Sequence, residues 1–151
     1  RDSLAIHERL AAADPSNTRW QRDLSVSYDE IGDVLVAQGK LEEALKAYRD
    51  CLAIAARLAA ADPSNTRWQR DLSVSYEKIG NVLVAQGKLG EALKAYRDSI
   101  AIAEHLAATD PSNTQWQRDL SVSYDHVGDV LVAGGNLDEA LSPSYSPKLP
   151  T

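Results

Sequence analysis

Three histidines, one cysteine, a recurring Ser-Val-Ser and many carboxylates are the groups in this chain that could bind a metal, attack a carbonyl or move a proton. Their spacing argues against all three. His7, His105 and His126 fall at non-equivalent places in a sequence that otherwise repeats, so they form no recurring ligand set and read as lone surface histidines. His126 has Asp125 and Asp129 beside it, yet one helix face barely supplies the convergent geometry a metal requires. Cys51 stands where Ser3 and Ser99 stand in the other copies, and no basic residue recurs beside it to lower its pKa, so buried filler is expected rather than a nucleophile. As the only cysteine it can close no intrachain disulfide and no cysteine metal cluster. Ser-Val-Ser at 25, 73 and 121 lacks the glycine elbow of hydrolases, and no glycine-rich phosphate loop occurs. The acidic pairs recur once per repeat, as a surface does; an active site would occur once per chain. No catalysis, metal or cofactor is expected.

What does recur is the stretch DPSNTRWQRDLSVSY. It fills Asp14–Tyr28, returns unchanged at Asp62–Tyr76, and returns at Asp110–Tyr124 with Gln115 in place of Arg19. Trp20, Trp68 and Trp116 are therefore 48 residues apart, a period that belongs to stacked repeats. A hydrophobic fraction of 44% is enough for a core. The net charge of −6 argues against a nucleic-acid or anionic-membrane binder, since both need a basic face. The Ala-rich run after Cys51 is broken by Arg57, so no segment reaches the roughly 18 apolar residues of a spanning helix. A soluble, cytoplasmic setting is expected. The chain opens inside a repeat, at Arg1, and reads as a piece of a longer protein.

Stepwise along the chain, Asp14-Pro15-Ser16-Asn17 breaks one helix, and Thr18 with Gln21 offers a capping box for the next. Trp20, Leu24, Tyr28, Ile31 and Leu35 recur at helical spacing and form the expected inward stripe of a helix ending near Gln38. The tryptophans are expected in the core. Gly39 is the expected left-handed cap, and a second helix opens at Lys40 or Leu41 and runs to Asp62-Pro63. There Ala44, Ala47, Ala55 and Ala59 would let helices approach closely while Tyr48 and Leu52 fill the space between. Residues 3–50 and 51–98 differ at seven positions; Ser3/Cys51 is one, and the other six, His7/Ala55 among them, are expected near the surface. The expected organisation is 1–13, the second half of a truncated repeat helix; 14–61 and 62–109, two repeats; 110–141, a truncated third; and 142–151, a Pro-rich extended tail. Leu137–Leu141 would begin the last second helix, which Ser142-Pro143 stops.

The unit resembles the tetratricopeptide repeat, on Tyr28, Ile31-Gly32, Leu35, Ala44, Tyr48 and Pro63, again on Tyr76, Ile79-Gly80, Leu83, Ala92, Tyr96 and Pro111, and on Tyr124, Val127-Gly128, Leu131 and Ala140. The family unit has about 34 residues; the excess here is about two turns in each helix, which resembles the long-helix variety of kinesin light chains and bacterial arrays. The resemblance implies an all-α fold, a right-handed superhelical solenoid of antiparallel hairpins with a 48-residue period. It also implies that the first helix of each hairpin lines a concave groove for a peptide or protein. Carried over position by position, that groove takes Val26, Asp29, Asp33 and Val36, then Glu77 and Asn81, then Asp125 and Asp129. Extended backwards it reaches Arg19, Arg22, Arg67, Arg70, Gln115 and Arg118. The family's clamp for a C-terminal carboxylate has Lys and Asn at the places of Asp29 and Asp33, so chaperone-tail capture is not expected. An acidic strip favours a Lys/Arg-bearing partner. An interaction scaffold is thus the first functional expectation. The second is a structural spacer that self-assembles head to tail, Arg1–Ala13 of one chain completing the segment begun at Leu137 in another.

Overall fold

A computed structural model of the chain describes residues 2–135. The segment Leu137–Leu141 and the tail at 142–151 lie outside that range. The described residues form six α-helices and no strand: α1 Asp2–Ala13, α2 Thr18–Ala37, α3 Leu41–Ala61, α4 Thr66–Ala85, α5 Leu89–Thr109 and α6 Thr114–Ala133. None of these helices is long and apolar enough to cross a membrane.

The repeated stretch sets each boundary by local chemistry. Asp14, Asp62 and Asp110 each accept from the hydroxyl of the serine two residues on, at 2.6 or 2.7 Å, which turns the chain at the Pro. The next helix is capped by Asn, not by the expected Thr18–Gln21 box. Asn17 Oδ1 accepts the Trp20 amide at 3.0 Å, and Asn65 and Asn113 serve Trp68 and Trp116 in the same way. The Gln21 amide that Thr18 would have capped already bonds the Asn17 carbonyl at 3.0 Å, which makes Asn17 the cap. Gln21 is used elsewhere, its Nε2 donating to the Ala11 carbonyl at 3.2 Å, so it ties α2 to the end of α1.

At the other end, Gly39 has φ of 75°. Its amide bonds Val36 O and the Lys40 amide bonds Leu35 O, both at 2.9 Å, the paired closure of a left-handed helix stop. Gly87 and Lys88 repeat it on Val84 and Leu83. Only Gln38, Gly39 and Lys40 separate α2 from α3, so the two form a hairpin.

The chain divides into two compact units, residues 1–75 and 76–151. In the first, Ala11, Leu24, Ile54 and Leu58 form a buried cluster with Leu4, Tyr28 and Trp68 against it. Trp68 is thus core-facing but only partly buried. Ala44 is fully buried, and Tyr48 lies over Gly32 so closely that an added Cβ there would meet the ring at 2.3 Å. In the second unit Tyr96 does the same over Gly80, at 2.4 Å. The repeat therefore needs glycine at this position to seat an aromatic ring. Cys51 is buried as expected, with Sγ 3.5 Å from Ser75 Oγ. The expectation of a surface position at His7/Ala55 does not hold. Ala55 is buried, and half-buried His7 places Nδ1 2.5 Å from Ser27 Oγ, because this side of the second helix faces a neighbouring first helix.

Candidate partner-binding face

The proposed groove residues all lie on first helices, and each unit arranges its own share. In the first unit, Val26, Asp29 and Arg70 line one cleft of about 130 Å³ together with Asp71 and Val74. Asp71 in turn accepts from Arg22 Nε, at 3.0 Å to Oδ2. The basic rim read from the sequence is therefore neutralised at Arg22. Arg19 and Arg67 stand exposed in this unit and Arg118 in the other. The stripe itself keeps an apolar rhythm: Val26 and Val122, and Val36, Val84 and Val132, are exposed at matching repeat positions.

Asp33 and Asn81, placed in the groove by resemblance, carry a second duty. Each is exposed, but Asp33 Oδ1 accepts from the Tyr48 hydroxyl and Asn81 Oδ1 from the Tyr96 hydroxyl, both at 2.6 Å. Burial first, then the Asp33 hydrogen bond, pushes the Tyr48 phenol well above its ordinary value. Tyr96 is pushed up to about 12 by burial and by the charges of Glu77 and Asp129. Both rings stay protonated donors at neutral pH and tie the second helix of each hairpin to its first.

Glu77, one of the residues the resemblance assigns to the groove, bonds two side chains of α6. Its carboxylate accepts from Ser123 Oγ at 2.5 Å and meets His126 Nδ1 at 2.6 Å, so it staples α4 to α6 within the second unit. The His126 ring also lies 5.1 Å from Tyr96, centroid to centroid. The lone-surface expectation for His126 fails. Asp125 and Asp129 remain exposed next to it. Sequence reasoning missed Asp71, which is identical in every copy and so gave no signal. It also missed the Glu77–His126 pair, whose signal was there: the repeat position of His126 holds Glu30 and Lys78 in the other copies, and Glu77 is one methylene longer than Asp29 and Asp125.

The His126 pair gives a pH signature. The hydrogen bond to Glu77 raises the imidazole pKa against the opposing effect of burial, with the Glu77, Asp129 and Asp125 charges adding to the rise. A raised folded-state pKa contributes stability that is full below the unfolded value of about 6.5 and is lost as pH rises through the folded value. Denaturant titrations should therefore show wild type exceeding His126→Asn most at about pH 6, with the gap shrinking toward about pH 8. A gap independent of pH would show that the pair is held by packing alone.

Among the described residues no cluster of three or more His, Cys, Asp or Glu could hold a metal ion. Taken together, the caps, the hairpin stops and the ring-on-glycine contact define a tandem helical-hairpin repeat. The sequence profile of the tetratricopeptide repeat matches residues 23–105, more than half of the chain, and the chain belongs to that family. No curated protein matches it. Tetratricopeptide repeats are in general protein–protein interaction modules.

Proposed function

We propose that this chain binds a peptide or protein along the exposed stripe of its first helices, the face the family resemblance assigns to a groove. The observation that carries this reading is the return of solvent-exposed valines at fixed repeat positions, interleaved with carboxylates. Val26 and Asp29 share one cleft, and Val122 and Asp125 are both exposed on α6. Within each unit these side chains offer an apolar patch bordered by carboxylates, the kind of surface on which a partner docks. The strip takes an extended or helical segment that alternates small apolar residues with Lys or Arg, in a cytosolic setting. It performs no chemistry on that segment.

A random peptide library selected on the chain should return Lys/Arg-bearing sequences whose binding weakens as salt rises. The double change Asp29→Lys and Asp125→Lys should lower their affinity by about tenfold or more, while Arg57→Glu on the exposed side of α3 leaves it unchanged. Peptides of no net charge that ignore both changes would refute the charge reading.

The second reading, head-to-tail self-association, has its own observation. Val34 is 56% exposed, whereas Val82 and Val130 at the same repeat position are 2% and 5% exposed.

A further inference from the structure

Of the three histidines only His126 lies on a first helix, and Glu77 from α4 holds it there. Both carboxylate oxygens of Glu77 are taken, Oε1 by Ser123 and Oε2 by the imidazole. An ionised carboxylate only accepts, so the ring keeps a proton on Nδ1 in either charge state, and the second proton comes and goes at Nε2. Titration therefore changes the charge and leaves the contact in place. The Tyr96 ring of α5, 5.1 Å away and tilted by 36°, backs the imidazole and stays uncharged at neutral pH.

That charge sits among carboxylates. Glu77 faces the ring from α4, and Asp129 and Asp125 act on it from α6 itself. Asp129 follows His126 by three residues, one turn along the helix. It stands at the repeat position of Asp33 and Asn81, which is exposed in every copy. Three carboxylates and a neutral ring carry a formal −3, and a protonated ring leaves −2. The repeat position of His126 holds Glu30 and Lys78 in the other copies, so histidine, whose ordinary pKa lies nearest neutrality, is special to this one.

We propose that His126 is a proton switch on partner binding: its neutral form lets the carboxylates of α6 hold a cationic partner, and its protonated form weakens that hold. The proposal rests on the binding face argued above and names its regulation. Proton and cation then oppose each other reciprocally, so a bound cation lowers the proton affinity of His126 by the factor by which the proton lowers cation affinity. The hydrogen bond to Glu77 and the surrounding carboxylates raise the imidazole pKa in the free chain, so cation affinity should climb as pH passes above the ordinary 6.5.

The probe is an acetylated, amidated peptide of four Ala-Lys pairs, whose side-chain amines stay charged to about pH 9. Calorimetric titration at constant, low salt should show its affinity rising about three- to tenfold between about pH 6 and about pH 8.5, the range for one unit charge about 7 Å from another near a wet surface. His126→Gln, which is neutral throughout, should bind with an affinity that stays flat. Imidazole NMR on the unaltered chain gives a reading that needs no variant: the His126 titration midpoint should fall when the peptide is saturating. A midpoint that the peptide leaves in place, or a rise in affinity that His126→Gln retains, overturns the switch; if Asp29→Lys with Asp125→Lys still weakens binding, the binding face stands. A peptide that fails to bind, or that ignores the double change, overturns the charge reading of the face and the switch with it.

Discussion

Gly32→Ala should destabilise the chain by about 1–3 kcal/mol, although alanine is the better helix former by about 1 kcal/mol. The two effects oppose each other, and geometry decides the sign. A Cβ at Gly32 would lie 2.3, 2.6 and 2.8 Å from three atoms of the Tyr48 ring. The ring has little freedom to retreat, because it is buried and its hydroxyl is anchored on Asp33 at 2.6 Å. Gly80→Ala should behave alike, against a Tyr96 anchored on Asn81. The control is Gly90→Ala in the first turn of α5, where an added Cβ meets nothing within 4 Å; it should be neutral or stabilising by up to about 1 kcal/mol. Tyr48→Leu combined with Gly32→Ala should lose less than the sum of the two single changes, since the ring that makes the clash is gone. Urea titrations of the five variants, Tyr48→Leu alone included, read these values; equal, small effects at Gly32 and Gly90 would mean that the ring does not need the glycine.

That contact shows how far the sequence could be read. The period of 48, the helix hairpin, the left-handed Gly39 and the ring at Tyr48 were all visible, because each depends on a residue type at a fixed local spacing. The cap went to Asn17 rather than Thr18 because two adjacent residues can both accept an amide, and only backbone geometry chooses between them. The Arg22–Asp71 pair and the Glu77–His126 staple join residues nearly fifty positions apart on successive first helices. Arg22 and Asp71 are identical in every copy, so sequence alone could not assign who meets whom there, whereas the changed residues at 77 and 126 marked the second pair. The uneven cover of Val34, Val82 and Val130 was equally hidden, because one residue type stands at all three.

That unevenness leads to the second large effect. Leu131 is 1% exposed, among the most completely buried side chains in the chain, whereas Leu35 at the same repeat position is half-buried beside an open cleft. Leu131→Ala should cost about 2–5 kcal/mol, the transfer term plus that of a cavity that α5 and α6 cannot collapse to fill. Leu35→Ala removes the same atoms from a site already open to water and should cost less than about 2 kcal/mol. Chemical denaturation followed by circular dichroism at low protein concentration separates the two. Equal losses would show that α2 is covered as fully as α6 in solution.

Function turns on which face meets the partner. Asp33 and Asn81 show that residues on the first helices serve the hairpin as well as the solvent face, and Glu77 is committed to Ser123 and His126. The proposed contact falls on the exposed valines with Asp125 and Asp129, and on the cleft that Val26 shares with Asp29. Amide hydrogen exchange on the chain, with and without a Lys/Arg-bearing peptide selected on it, tests this most directly. Binding through the first helices should slow exchange around Val26–Asp29 of α2 and Val122–Asp125 of α6 and leave the exposed side of α3 and α5 unchanged. Slowing confined to α3 and α5, with the first helices unaffected, would contradict it.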